Sequence, residues 1–376
     1  MSKRGENIYK RKDGRWEGRY IRFYNERKQP KFGYIYGKSY SEVKNKLLEK
    51  KQTIQVVTTT HSKRMVLYND ILTDWLLSAR LSIKESTYAR YTHLINTHIR
   101  PQLGEFPLLY LTTQIVESFI RNQLDNGRLD GNGGLSAKTV TDILTIIKST
   151  IEYARNRDFV VTCNLGKLTI KKKEKEMRVL TQSEQAKLIK VLVEEIDVCR
   201  FGVLLSLYTG IRIGELCALK WEDLCVPQSV LRIRKTMQRI QDSTGATPAK
   251  TKIIITEPKS QCSVRDIPLP DFLLSYAKLF FSQPKAYILS GAEDKYIEPR
   301  TMQNRFKTYV KESGIDDANF HALRHTFATR CVEVGFEIKS LSEILGHANV
   351  NITLNRYVHS SFDLKQANMN KLVLDI

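Results

Sequence analysis

Three short stretches near the end of the chain constrain its fold most: His321-Ala-Leu-Arg324-His325, Leu345-Gly346-His347 and Asn355-Arg356-Tyr357. On a helix, positions i, i+3 and i+4 share a face, so His321, Arg324 and His325 are expected side by side as a cationic strip. Leu341, Ile344 and Leu345 recur at helical spacing. Gly346 suits the left-handed residue that closes a helix, which leaves His347 just past a helix end. Tyr357 follows ten residues later, on a further short helical segment. A chain folded this way brings a phenol beside guanidinium and imidazole groups. Such a set suits phosphoryl transfer, with guanidiniums neutralising the non-bridging oxygens while the phenol attacks phosphorus.

Each part also has an ordinary reading. His321 and His325 have the spacing of the zinc pair in His-Glu-x-x-His, but Ala322 replaces the glutamate and Arg324 puts a fixed charge between the two, so no metal site is expected. A single tyrosine in an apolar helix is by default a packing residue, and a single arginine a solvated charge. The joint pattern decides. Upstream, Leu207-Tyr-Thr-Gly-Ile-Arg212-Ile-Gly-Glu215-Leu-Cys-Ala-Leu-Lys-Trp221 places an arginine just after a Thr-Gly break that opens a helix. With the downstream stretches, this resembles the tyrosine recombinases, also called phage integrases, over roughly residues 65 to 360. The family's Arg, Lys, His, Arg, His/Trp and Tyr set is matched in order by Arg212, Lys259, His321, Arg324, His347 and Tyr357. Ala322 departs from the Asp that the family often has, which touches a local hydrogen bond rather than the chemistry.

The resemblance implies site-specific recombination by transesterification, in which Tyr357 forms a 3′-phosphotyrosine and frees a 5′-hydroxyl that attacks the partner strand. A phenol with a pKa near ~10 needs a base, and His321 is the expected one. Arg212 and Arg324 are expected to clamp the phosphate in a bidentate manner that lysine could not reproduce, and His347 to hydrogen-bond it. Lys259, within Glu-Pro-Lys-Ser, matches the family lysine that protonates the leaving oxygen; Lys250 and Lys252 nearby are its competitors. Glu215, one turn after Arg212, is expected to orient it, with His325 as a second supporting residue. The phosphodiester energy stays in the covalent link, so neither ATP, a metal nor another cofactor is expected.

Charge says where the partner binds. The 376 residues carry a formal net charge of +20, and residues 1 to 60 hold 16 Lys and Arg against 6 Asp and Glu, half of the surplus. That asymmetry suggests a separate nucleic-acid-binding unit at the N-terminus. Six cysteines without a C-x-x-C pair read as reduced thiols. With no apolar run near the ~18 residues of a membrane span, a cytoplasmic, nucleoid-associated protein without membrane contact is expected.

The expected fold is multidomain and mainly α with small β-sheets: an arm-type DNA-binding domain (1–60), a helical core-binding domain (64–160) and a mostly α catalytic domain (176–376). Alternating residues predict three antiparallel strands at about 7–12, 15–24 and 31–36. A capping box from Ser39 to Glu42 then opens a helix to about Gln55. Arg15, Arg19 and Arg22 interleave with aromatic residues on the second strand and are candidate DNA contacts. Four helices are expected at about 65–79, 86–99, 112–124 and 136–157, the second ended by Pro101. Lys138, at the start of the last, is a candidate phosphate contact. Lys171 and Lys172 belong to a basic linker with five Lys in nine residues, 167–175. Beyond it come helices at about 181–195, 199–208 and 213–220, and strands at 229–240, 252–257 and 263–268, with Lys259 between the last two.

By resemblance, the partners are core-type and arm-type attachment sites in double-stranded DNA. A homotetramer on two duplexes is implied as well, its C-terminal tails, including Phe362, Leu364, Leu372 and Val373, packing on a neighbour. A host DNA-bending protein and an excisionase are further expected partners. Rival readings are a chromosome-dimer-type resolvase, a type IB topoisomerase and a catalytically inactive DNA-binding regulator. The first two do not need the basic N-terminal unit, and the last would lack catalytic residues.

Deleting residues 1–60 should therefore leave cleavage at a core site largely intact, while recombination between full attachment sites collapses. If about five of the removed basic residues touch phosphate, the slope of log affinity against log salt on arm-site DNA should flatten by roughly four to five units. An unchanged slope, with normal recombination of full sites by the shortened chain, would leave the N-terminal unit without a role in DNA binding.

Overall fold

The alternating pattern near the N-terminus produces the expected three-stranded antiparallel sheet, β1 (Ile8–Lys10), β2 (Trp16–Tyr24) and β3 (Pro30–Gly37), in the order β1-β2-β3. The computed structural model describes residues 7–11, 13–24, 30–48, 66–171, 177–242, 251–258, 260–357, 366 and 369. One face of the sheet packs Ile8, Trp16, Tyr20 and Ile35 against Val43 and Leu47 of helix α1 (40–48). Gly18 is required at the centre of that face, since a Cβ there would stand 2.4 Å from Leu47. Ser39 and Glu42 cap α1 as expected, with the Glu42 N–H donating to Ser39 Oγ and the Lys38 N–H to the Glu42 carboxylate. The expected end near Gln55 lies outside the described residues. The opposite face leaves Tyr9, Tyr34 and Tyr36 exposed.

In the same compact unit, Met1–Lys172, lie α2 (Tyr68–Ala79), α3 (Glu85–Leu94), α4 (Arg100–Leu103), α5 (Thr113–Asn126) and α6 (Ala137–Arg155). Their apolar stripes meet in a core of Tyr68, Ile71, Leu72, Ile95, Ile99, Ile143 and Ile147. The Tyr68 hydroxyl would be orphaned there, and it pairs with Thr150 Oγ1 at 2.6 Å. Thr112 and Ser136 cap α5 and α6 by accepting N–H groups three residues on. One expectation fails. Pro101 does not end its helix, because a π turn at Ile95–Ile99 shifts the ladder and α4 restarts with Pro101 in its first turn, where no donor is needed.

The second unit, Lys173–Ile376, begins with α7 (Gln182–Glu194), capped by a Thr181–Glu184 box, then α8 (Val198–Thr209) and α9 (Ile213–Ala218). The strand expected at 229–240 is two strands. β5 (Val230–Ile233) joins β4 (Leu224–Cys225) and β8 (Arg265–Pro268) in one antiparallel sheet, whereas β6 (Thr236–Gln241) pairs only with β7 (Thr251–Thr256). At the break, Arg234 turns its guanidinium onto the Arg265 carbonyl at 2.8 Å. Helices α10 (Asp271–Phe280), α11 (Pro299–Glu312), α12 (His321–Glu333), α13 (Ile338–Leu345) and α14 (Val350–Tyr357) complete the unit. Its core centres on Phe201, Trp221 and Phe306, with Phe201 and Trp221 stacked at 6.3 Å. Among the described residues no helix is long and apolar enough to cross a membrane.

Gly210 closes α8 in the left-handed region, at φ +66°. A Cβ there would lie 2.6 Å from Phe327 and 2.9 Å from Leu345. Gly210→Ala should therefore combine the left-handed penalty with overpacking, about 2–4 kcal/mol. Thermal unfolding followed by circular dichroism should fall by roughly 5–15 °C for a unit of this size. A shift below about 2 °C would mean that Phe327 and Leu345 yield freely.

Candidate active site

Arg212 owes its place to the turn after Gly210. It is the N-cap of α9, and its N–H donates to Glu215 Oε2 at 2.9 Å while its Nη1 reaches Oε1 at 2.7 Å. Glu215 is 2% exposed and also receives Arg265, through Nη2 at 2.9 Å and Nη1 at 3.2 Å. Burial alone would push the Glu215 carboxyl up, but the ion pairs to Arg265 and Arg212 outweigh it and hold the pKa below the usual range. Arg265 is itself buried and also donates to the Ile344 and Ser263 carbonyls, so it ties β8 to the end of α13. Glu215 thus orients Arg212, as the sequence suggests. Arg265 was not foreseen, although its inward position on β8 was a readable signal.

Arg324 is 2% exposed and bonds no carboxylate among the described residues. Its Nη1 donates to the Gly210 carbonyl at 2.8 Å and its Nη2 to the Leu345 carbonyl at 2.7 Å, at the C-terminal ends of α8 and α13. Burial, and then the Arg212 guanidinium, lower its pKa to about 9, which leaves it charged at neutral pH. Three guanidiniums therefore surround a single carboxylate. The surplus positive charge is fixed in place, an arrangement able to stabilise an anion.

His321, Arg324 and His325 share one side of α12 as expected, with the two imidazole rings edge to face at 4.5 Å. The cationic strip does not materialise. Burial, the second histidine and the adjacent arginines push the His321 pKa down to about 4, and burial with Arg356 and Arg324 does the same to His325. Both rings are neutral at pH 7, so Arg324 alone supplies the charge of that face. His321 keeps a solvent-exposed edge at the start of α12 while its ring packs on His325, which is 7% exposed.

Gly346 adopts the expected left-handed conformation, φ +64°, and His347 follows it with Nδ1 2.8 Å from Thr353 Oγ1. Burial and the Arg324 and Arg212 charges push the His347 pKa down to about 3. Tyr357, the last residue of α14, is 5% exposed, and its ring stacks on His347 at 6.4 Å and 3°. Burial raises the Tyr357 pKa despite the opposing pull of Arg324 and Arg356. Its hydroxyl lies 2.8 Å from His325 Nδ1. The imidazole in contact with the phenol is thus His325, and not His321 as the sequence suggests, because Tyr357 reaches the buried end of the histidine pair.

Lys259 lies outside the described residues, as do Lys250 and Lys172. The flanking strands β7 and β8 belong to different sheets. The tail residues Phe362, Leu364, Leu372 and Val373 also lie outside. Among the described residues no group of His, Cys, Asp or Glu could hold a metal ion.

The candidate DNA contacts of the first unit are separate from this cluster in the chain. Lys138 is exposed in the first turn of α6, and Lys171 is exposed after the helices. On the open face of the N-terminal sheet, Arg15 lies 6.0 Å over the Tyr36 ring and pairs with Asp13, and Arg19 lies 4.1 Å over Phe32. A bulge between Ile21 and Phe23 interrupts the alternation at Arg22, of which only the backbone is described.

Comparison with known proteins gives these residues a setting. Residues 178–363 match the profile of the phage integrase family, and residues 67–124 that of the phage integrase N-terminal SAM-like domain. A tyrosine recombinase XerC-like protein of Caldanaerobacter subterraneus subsp. tengcongensis is 27% identical over 320 residues, 78% of this chain and 79% of that protein. The Tn1549 transposon integrase, solved with a circular intermediate DNA, superposes with a TM-score of 0.65 at 21% identity, covering 81% of this chain and 99% of that one. The lambda integrase, solved as a tetramer bound to a Holliday junction, gives 0.59 at 19%, covering 95% and 97%. The two structures share the fold, the two profiles together span more than half of the chain, and the chain belongs to the phage integrase family, the site-specific tyrosine recombinases.

Proposed function

We propose that this chain integrates and excises a mobile element by cutting and rejoining double-stranded DNA attachment sites through a 3′-phosphotyrosine at Tyr357. One observation carries the reading: the Tyr357 hydroxyl meets the neutral His325 ring beside the surplus charge of Arg212 and Arg324. In this proposal Arg212 and Arg324 hold the non-bridging oxygens of the scissile phosphate, and His347 donates to one of them. The phenolic oxygen attacks phosphorus, its proton passes to His325 Nδ1, and the bond from phosphorus to the 5′-oxygen breaks. Lys259 gives that oxygen a proton, and the reverse sequence joins the freed 5′-hydroxyl of a partner strand. One phosphoester is exchanged for another at each step, so ATP has no place in the balance. His321 lines the seat from the exposed start of α12.

The same proposal divides the chain into an arm-binding unit (1–60), a core-binding unit (64–160) and a catalytic unit (176–376), with Arg15, Arg19, Arg22, Lys138, Lys171 and Lys172 on phosphate or base edges. Exposed tyrosines among arginines on the N-terminal sheet support its first part. The lambda integrase tetramer on a Holliday junction supports a homotetramer acting on two duplexes. A host DNA-bending protein, an excisionase and a place on the bacterial nucleoid complete the proposal.

Tyr357→Phe should form no covalent adduct on nicked duplexes drawn from the DNA flanking the coding sequence, while binding them within about twofold of wild type, since one oxygen is lost and no charge changes. An adduct that survives a denaturing gel would move the nucleophile elsewhere. His325→Ala should slow adduct formation by about 10²–10⁴, with part of the loss recovered at high pH where the phenol ionises unaided. His321→Ala should cost less. The reverse order of the two would return the base to His321.

A further inference from the structure

His347 has two ring nitrogens, and only one arrangement of its proton suits an anion. The ring is neutral in the free protein, since burial and the arginines around it push its pKa down to about 3. A neutral imidazole carries one N–H, on Nδ1 or on Nε2. Nδ1 is occupied by Thr353 Oγ1 at 2.8 Å. A proton on Nδ1 would leave the Nε2 lone pair to meet a phosphate oxygen. A proton on Nε2 would give that oxygen a donor.

The Thr353 side chain is fully buried, at 0% exposure, and its hydroxyl makes one hydrogen bond among the described residues, the one to His347. A threonine in a helix commonly donates to the carbonyl four residues back. Here the described residues show no such bond to the Asn349 carbonyl, which takes the Ile352 N–H, and the hydroxyl turns to His347 instead. If His347 donated from Nδ1, the threonine proton would be buried without an acceptor among the described residues. A buried unsatisfied donor biases an equilibrium against itself by roughly tenfold or more. If Thr353 donates instead, both groups are satisfied and the imidazole proton is left on Nε2.

Resting on the phosphate-binding role proposed above for His347, we infer that Thr353 is a positioning residue: its hydroxyl donates to His347 Nδ1 and fixes the tautomer whose Nε2–H can donate to the scissile phosphate. Thr353 also lies one helical turn before Tyr357 on α14, so the residue that sets the imidazole travels with the nucleophile. Nothing in the sequence marks it beyond a threonine among apolar neighbours.

Two measurements on the full chain test this. In long-range proton–nitrogen spectra of histidine-labelled protein without DNA, wild type and Thr353→Ser should show His347 protonated on Nε2, and Thr353→Val a mixture of tautomers. On the nicked flanking duplexes, Thr353→Val should slow adduct formation about tenfold or more, on the scale of lost supporting hydrogen bonds, with DNA binding within about twofold and Thr353→Ser near wild type. In a His347→Trp background, whose indole N–H has no second tautomer, Thr353→Val should subtract nothing further. Wild-type His347 protonated on Nδ1, or an equal loss in both backgrounds, would overturn the inference. If Thr353→Val does not fold, the wild-type and Thr353→Ser spectra still decide. Absence of an adduct with wild type on every duplex would overturn the proposed function, and the spectra would still decide the tautomer.

Discussion

A carboxylate at 2% exposure survives in a protein only with partners, and Glu215 has two guanidiniums. Removing one member of such a buried set typically costs about 3–5 kcal/mol, because it strands the charge that remains. The set holds more than stability. Arg212 is pinned by backbone and side chain to the start of α9, and Arg265 carries the same carboxylate across to β8 and the end of α13. The carbonyls that take Arg324 belong to the turns closing α8 and α13. The proposed phosphate seat is therefore assembled from helix ends, where orphan carbonyls and N–H groups are available to position side chains. An anion entering it would find its donors already oriented, and Arg324 already stripped of water, the condition under which electrostatic stabilisation is most effective.

The same dry, positive environment explains why three histidines are neutral at rest. Burial disfavours imidazolium, and Arg324 with its neighbours adds repulsion, which together bring His321, His325 and His347 down to about 4, 4 and 3. A neutral ring can accept a proton from the phenol, whereas a protonated one could only donate. Charge at this site is divided between arginines that stay protonated at neutral pH and imidazoles that are neutral there. In the proposed reaction, a bound phosphate would offset the local repulsion and favour protonation of the imidazole.

Much of the fold was legible because it rests on local rules. The alternation of the first strands, the caps at Ser39 and Gly346, and the i, i+3, i+4 spacing after His321 all reappear in the structure. What escaped depends on contacts between distant segments. Strand alternation places Arg265 inward but does not reveal the carboxylate 50 positions earlier that makes an inward arginine tolerable. The histidine that meets Tyr357 is decided by the packing of α14 on α12, which spacing does not encode. Pro101 misled because a π turn removed the donor whose loss normally ends a helix. The run from 229 to 240 misled because one apolar stretch serves two sheets.

The crossed ion pairs of Glu215 also bear on how sequences of this kind can drift. Positions 212 and 215 lie at the start of α9 and position 265 on β8, yet the three share one charge balance around a buried carboxylate. A lone change at 215 would leave two like charges facing each other, and a lone change at 265 would leave the carboxylate half compensated. Such positions are expected to show strong epistasis, tolerating joint exchange far better than any single step. The proposed phosphate seat would then be inherited as a block rather than residue by residue.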